Sequence, residues 1–215
     1  MDQPEEPIPT PPAYLAPYLQ AARTCGGGFG TLLWASPATQ AVRFEAIRRI
    51  YDPAGRSVLD VGCGRADYLG FLLDRGIRPA DYIGIEAVGP LADAADERAE
   101  QARRAGVAVR ILRADFVREP VRIFVGADVV MFSGSLNTAG DDVFYPTLRR
   151  AYEAAAEAMV FNFLDSTMLA GRDYLVWRRP ADVLRFAGSL SADVRVRDEY
   201  LPGDCTVAVV KRGEE

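Results

Sequence analysis

The chain reads as an α/β protein built on a mostly parallel sheet with helices on both faces. Three observations predict this. Ser57-Val58-Leu59-Asp60-Val61 is an apolar, partly β-branched strand that runs through a glycine turn at Gly62 and Gly64 into a helix. Further short apolar runs, Asp81–Glu86, Val107–Leu112, Ala127–Phe132 and Ala158–Leu164, arrive separated by helical stretches. The tail closes differently: Val194–Arg197 and Thr206–Val210 flank Tyr200-Leu201-Pro202-Gly203-Asp204, a Pro-Gly turn between two antiparallel strands.

Composition bounds the function. A chain of 215 residues suits one domain with a real core. A formal charge of −5 argues against general affinity for nucleic acid. No apolar run reaches the roughly 18 residues of a membrane span, so no membrane partner is expected. The N-terminus lacks the basic-then-apolar pattern of a leader. Cys25, Cys63 and Cys205 are scattered, lack metal-ligand spacing and predict a reducing cytoplasm. The chain has no histidine. That excludes Ser-His-Asp and Cys-His machinery and any histidine-held metal. A general base must be Asp, Glu, Tyr, Lys or Cys, or the substrate must arrive nucleophilic.

The elements follow in order. Residues 1–13 are proline-rich and acidic, as in a disordered tail. Residues 14–52 read as a helical cap. Its first helix, Ala13–Arg23, sets Tyr14, Leu15, Tyr18 and Leu19 on one side and is interrupted near Pro17. Gly26-Gly27-Gly28-Phe29-Gly30 is either a flexible linker or the hinge of a lid. Ser36-Pro37 caps a helix reaching Tyr51. A helix over Arg65–Asp74 ends at Gly76. Leu91–Ala105 reads as a surface helix without chemistry. Asp141–Ala158 and Pro180–Ser189 are helices, and residues 166–178 form an irregular connection suited to shaping a pocket.

The strand ends carry the candidate site. Asp60-Val61-Gly62-Cys63-Gly64 leaves the first strand, with Ala66 where a third glycine is usual. Glu86 ends the second, Asp115-Phe116 follow the third, and Ser133-Gly134-Ser135-Leu136-Asn137 follow the fourth. This series, with the final hairpin, resembles the class I S-adenosylmethionine-dependent methyltransferases. Leu33–Phe44, Ser133–Asn137 and Asp198–Asp204 resemble a small, mostly uncharacterised bacterial group among them, and the resemblance covers roughly residues 29–211.

The resemblance implies a Rossmann-like sheet of seven strands in the order 3-2-1-4-5-7-6, with residues 53–215 as the binding domain. It implies S-adenosylmethionine as cofactor, S-adenosylhomocysteine as product and no metal. Asp60 would lie near the methionine amino group, with Gly62 and Gly64 admitting the methionine moiety. Glu86, beside Ala87, would take the ribose hydroxyls. Asp115 would bond the adenine amino group, and Phe116 would pack on the purine. Trp34 would line the cofactor, and Arg43 would pair with its carboxylate. Ser133 would face the methyl-transfer point, with Asn137 and Tyr174 in the acceptor pocket.

The implied reaction is direct methyl displacement by an O, N or C atom of a small-molecule acceptor. Tyr14, Tyr18, Asp165 and Tyr174 stand unranked as bases. The N-terminal segment is either a lid or an arm exchanged between two copies in a homodimer. Two other readings stay open. A NAD(P)-dependent oxidoreductase predicts a sixth parallel strand in place of the hairpin. A non-catalytic S-adenosylmethionine-binding module predicts the same sheet without turnover.

Overall fold

A computed structural model describes residues 10–169 and 171–211. Of the expected tail, residues 1–9 lie outside the described residues. Seven strands form one sheet: β1 (Ser57–Val61), β2 (Asp81–Glu86), β3 (Val109–Arg113), β4 (Val129–Phe132), β5 (Ala158–Leu164), β6 (Asp193–Arg197) and β7 (Asp204–Val210). Their order is β3-β2-β1-β4-β5-β7-β6. The first five pair in parallel, while β7 lies antiparallel between β5 and β6. The sixth parallel strand that an oxidoreductase reading requires is replaced by this hairpin.

Among the described residues the α-helices are α1 (Ala16–Cys25), α2 (Pro37–Ile50), α3 (Asp67–Leu73), α4 (Gly89–Arg104), α5 (Asp141–Ala154) and α6 (Pro180–Leu190). Alternation along the strands feeds two cores. Leu59, Val61, Val130 and Phe132 pack with Phe144 and Leu148 of α5 on one face. Val58, Val129 and Met131 pack with Phe44, Tyr68 and Leu72 on the other. The central strands are mostly apolar because both faces are covered, with Asp60 and Asn162 as buried polar exceptions. No helix among the described residues is long and apolar enough to cross a membrane.

The register sets the site. Val61 stands beside Ile85, and the backbone N–H groups of Gly62 and Cys63 both donate to the Ile85 carbonyl, at 2.8 and 2.9 Å. Glu86 pairs with Arg113, and Ala114 N–H then donates to the Glu86 carbonyl. The turns after β1, β2 and β3 therefore open on one edge, where parallel α/β sheets bind ligands.

The N-terminal region differs from expectation in two ways. Pro17 sits in the first turn of α1 and starts that helix rather than interrupting it, since a missing N–H costs nothing there. The glycine cluster packs as a turn rather than as an open linker. It leads into a 3₁₀ turn, Phe29–Leu32, and Gly27 lies so near α4 that a Cβ there would meet the Pro90 carbonyl at 2.5 Å. Gly27 serves close approach, and Gly26 takes the left-handed φ of +54° that ends α1. Next, Ser36 and Thr39 cap α2 reciprocally, with Thr39 N–H to Ser36 Oγ at 3.1 Å and Ser36 N–H to Thr39 Oγ1 at 3.2 Å.

Candidate cofactor and acceptor site

Gly62 takes φ +73°, a left-handed conformation that glycine adopts without strain. A Cβ there would strike Ser135 Cβ at 2.4 Å. Ser135 is held in place by its own bond, Oγ to the Val61 carbonyl at 2.6 Å. The turn after β1 and the loop after β4 thus meet with no room between them except for backbone. Ala66, in place of the third glycine, is fully buried and also left-handed, at φ +53°. That conformation costs a non-glycine residue about 1–2 kcal/mol.

Glu86 is 6% exposed. One carboxylate oxygen accepts Gly64 N–H and the other Val88 N–H, each at 2.8 Å. Burial outweighs these bonds and pushes its carboxyl up to about 7. Asp115 accepts Val117 N–H (3.0 Å) and Arg118 N–H (3.3 Å) on Oδ1, closing its own turn. Its Oδ2 accepts the Tyr14 hydroxyl at 2.7 Å. The oxygen expected to meet adenine is therefore also the anchor of the N-terminal segment. Thr138 Oγ1 donates to the Tyr14 carbonyl at 2.7 Å, a second tie across the same opening.

These strand ends face a cavity of about 640 Å³, within the usual range for a small-molecule site. Gly62, Gly64, Glu86, Ala87, Asp115 and Phe116 line the β1–β3 end. Ser133 and Asn137 line the β4 side, and Tyr174 enters from the segment after β5. Tyr14, Tyr18, Leu33 and Trp34 form the roof. Burial raises the Tyr18 phenol far above its ordinary range, and the neighbouring Glu86 charge raises it further.

Two expected cofactor residues sit otherwise than predicted. Asp60 does not line the cavity. It lies under the turn, 2% exposed, with Tyr82 OH donating to Oδ2 at 2.5 Å. Its second oxygen is buried with no hydrogen-bond partner among the described residues. Burial first, and the Glu86 charge in addition, push this carboxyl up to about 7. Asp60 therefore does not stand beside Glu86 and Asp115 along the cavity edge. Arg43 does line the cavity, but Nε and Nη2 both lie 2.5 Å from Asp204 Oδ2. The other Asp204 oxygen takes the Tyr200 hydroxyl. Arg43 also stacks 4.5 Å from the Trp34 ring centroid, and that ring packs on Gly134.

Of the four unranked base candidates, Tyr14, Tyr18 and Tyr174 line the cavity and Asp165 does not. Leu91 lines it too, although its helix was expected to carry no chemistry. Its place directly after the Glu86 strand end was the available signal. Leu169, Arg172 and Leu175 of the irregular connection, and Leu201 of the hairpin turn, are further lining residues that no local pattern marks.

No protein-family profile matches the chain, and no curated protein matches it in sequence. Solved structures do match in shape. The magnesium protoporphyrin IX methyltransferase of Synechocystis PCC 6803, crystallised with S-adenosylhomocysteine, superposes with a TM-score of 0.61 at 14% identity, over 81% of this chain and 82% of that one. A SAM-dependent methyltransferase from Leishmania major gives 0.67 at 15% identity, over 92% and 83%. One from Archaeoglobus fulgidus gives 0.63 at 15% identity, over 82% and 95%. With the strand order and the terminal hairpin, these matches show that the chain has the class I SAM-dependent methyltransferase fold.

Proposed function

We propose that this protein binds S-adenosylmethionine and transfers its methyl group to a small-molecule acceptor. The observation that carries the reading is one cavity onto which three consecutive parallel strands deliver a glycine turn, Glu86 and Asp115. The residues present fit the cofactor. The Gly62 turn leaves space that any Cβ would fill. Two carboxylates suit ribose hydroxyls and an adenine amino group, and Phe116 supplies a flat apolar face.

When bound, the cofactor supplies an electrophilic methyl on a sulfonium. The chain's own residues hold and align. Gly62 and Gly64 give the methionine moiety backbone to lie on, Glu86 takes the ribose and Asp115 the adenine. Arg43, with two of its nitrogens on Asp204, holds Trp34 against Gly134, and we assign it that duty in place of the methionine carboxylate. The roof, within the 14–52 cap, excludes water. Alignment in such a site is worth about 7–11 kcal/mol, so a chain without a compact catalytic motif suffices. The net charge of −5 and a cavity of about 640 Å³ favour a small acceptor over nucleic acid or a membrane. Three free cysteines favour the cytoplasm.

The test is ligand-dependent melting followed by turnover. S-adenosylhomocysteine is expected to raise the melting temperature, and NAD to leave it unchanged. A screen of small acids, phenols and amines with S-adenosylmethionine should then release S-adenosylhomocysteine. Stabilisation by NAD alone would sink the proposal. Binding without turnover across the screen would favour a binding-only module.

A further inference from the structure

The charges lining the cavity are sorted by sign along the sheet. Both acids, Glu86 and Asp115, stand at the β2 and β3 ends. Both lining arginines, Arg43 and Arg172, stand away from that end. Arg43 is neutralised by Asp204. Arg172, in the segment after β5, is exposed, and its guanidinium makes no hydrogen bond or ion pair among the described residues. The same cavity is lined by the apolar side chains Leu33, Trp34, Leu164, Leu169, Leu175 and Leu201. The same loop is pinned to the site, because Val176 N–H donates to the Asn137 carbonyl at 2.8 Å and Arg178 N–H to the Leu164 carbonyl at 2.8 Å.

From this arrangement we infer that the acceptor is a planar apolar acid, an aromatic carboxylate of one or two rings bearing at its other end a phenolic hydroxyl whose oxygen takes the methyl group from the sulfonium as its proton leaves to solvent. Its ring lies among Trp34 and the leucines, and its carboxylate meets Arg172 at the mouth. This rests on the methyltransferase reading of the cavity. A guanidinium matches a carboxylate with two parallel hydrogen bonds, and an apolar wall rewards a ring that leaves water. An amine would bring a cation to the side of the cavity where the unneutralised lining charge, Arg172, is already positive, while the lining carboxylates stand at the β2 and β3 ends. The separation of signs also keeps an acid away from Glu86 and Asp115, which orients it with its anionic group outward.

The experiment uses the full chain saturated with S-adenosylhomocysteine. Calorimetry compares 1-naphthoate, its neutral methyl ester and 1-naphthylmethylammonium. Naphthoate is expected to bind most tightly and the ammonium analogue most weakly. Arg172→Gln is expected to weaken naphthoate about three- to fivefold, the scale of an exposed ion pair. It should leave the ester and S-adenosylhomocysteine unchanged. Because Arg172 is exposed, the variant keeps the core intact. Three results would overturn the inference. Naphthoate binds no tighter than the ammonium analogue, or not at all. Arg172→Gln leaves naphthoate unaffected. Arg172→Gln weakens S-adenosylhomocysteine, which would give Arg172 to the cofactor's own carboxylate. Failure of S-adenosylhomocysteine to bind the unaltered protein is a separate outcome, and it removes the methyltransferase reading itself.

Discussion

On the proposed reading, Glu86 links proton binding to ligand binding. Its carboxyl is held near 7 by burial, yet ribose hydroxyls need the ionised form as acceptor. The ligand-free protein therefore carries a proton there at mildly acidic pH and must lose it on binding. Affinity for S-adenosylhomocysteine should fall as pH drops below about 7, and Glu86→Gln should flatten that profile in calorimetry. Glu86→Ala should weaken binding by roughly 1–3 kcal/mol, the scale of lost charge-assisted hydrogen bonds. Unchanged affinity would remove the ribose assignment.

Asp60 tests the same physics in stability. Its folded-state carboxyl sits near 7, against an ordinary value of 3.8. Between those limits the folded chain holds a proton that the unfolded chain has released, so stability falls as pH rises through this window. The melting temperature of the ligand-free protein should decline from pH 5 to 8. Asp60→Asn should reduce the slope; an unaltered slope would show the carboxyl ionised throughout. Glu86 and Asp115 were legible as cavity-lining residues because the carboxyl ends of parallel strands face the crevice. Asp60 and Arg43 were not, since what claims them is Tyr82, 22 residues away, and Asp204, 161 residues away. No local pattern announces such partners.

At the scale of elements, the roof is the part the chain discloses least. Glycines for flexibility and glycines for contact look alike until Pro90 is seen against Gly27. The strands were legible to within about two residues, because covered strands are apolar and glycine turns punctuate them. α2 was equally plain, since Ser36 and Pro37 mark its start. The roof's attachment invites a direct test. Tyr14→Phe removes the bond to Asp115 and should cost about 1 kcal/mol. Hydrogen exchange should then quicken in α1 while β1 to β5 keep their protection. Equal exchange in α1 would mean that other contacts hold the segment.

At the scale of the molecule, the sheet order was not derivable from periodicity. It followed from the family resemblance, with the Pro-Gly hairpin as the one local sign. On the proposed reading the ligand spans three strand ends and the roof, so binding should stabilise the whole rather than one loop. At a hundredfold excess over its dissociation constant, S-adenosylhomocysteine should add about 2.7 kcal/mol, read as a single shifted transition in denaturant.

The packing of Gly27 on Pro90 has a further effect. The contact fastens the roof to α4, directly after the Glu86 strand end. On the proposed reading that is the nucleoside's end of the cavity, and ordered binding is the expected outcome: product-inhibition kinetics should show S-adenosylmethionine entering before the acceptor and S-adenosylhomocysteine leaving last.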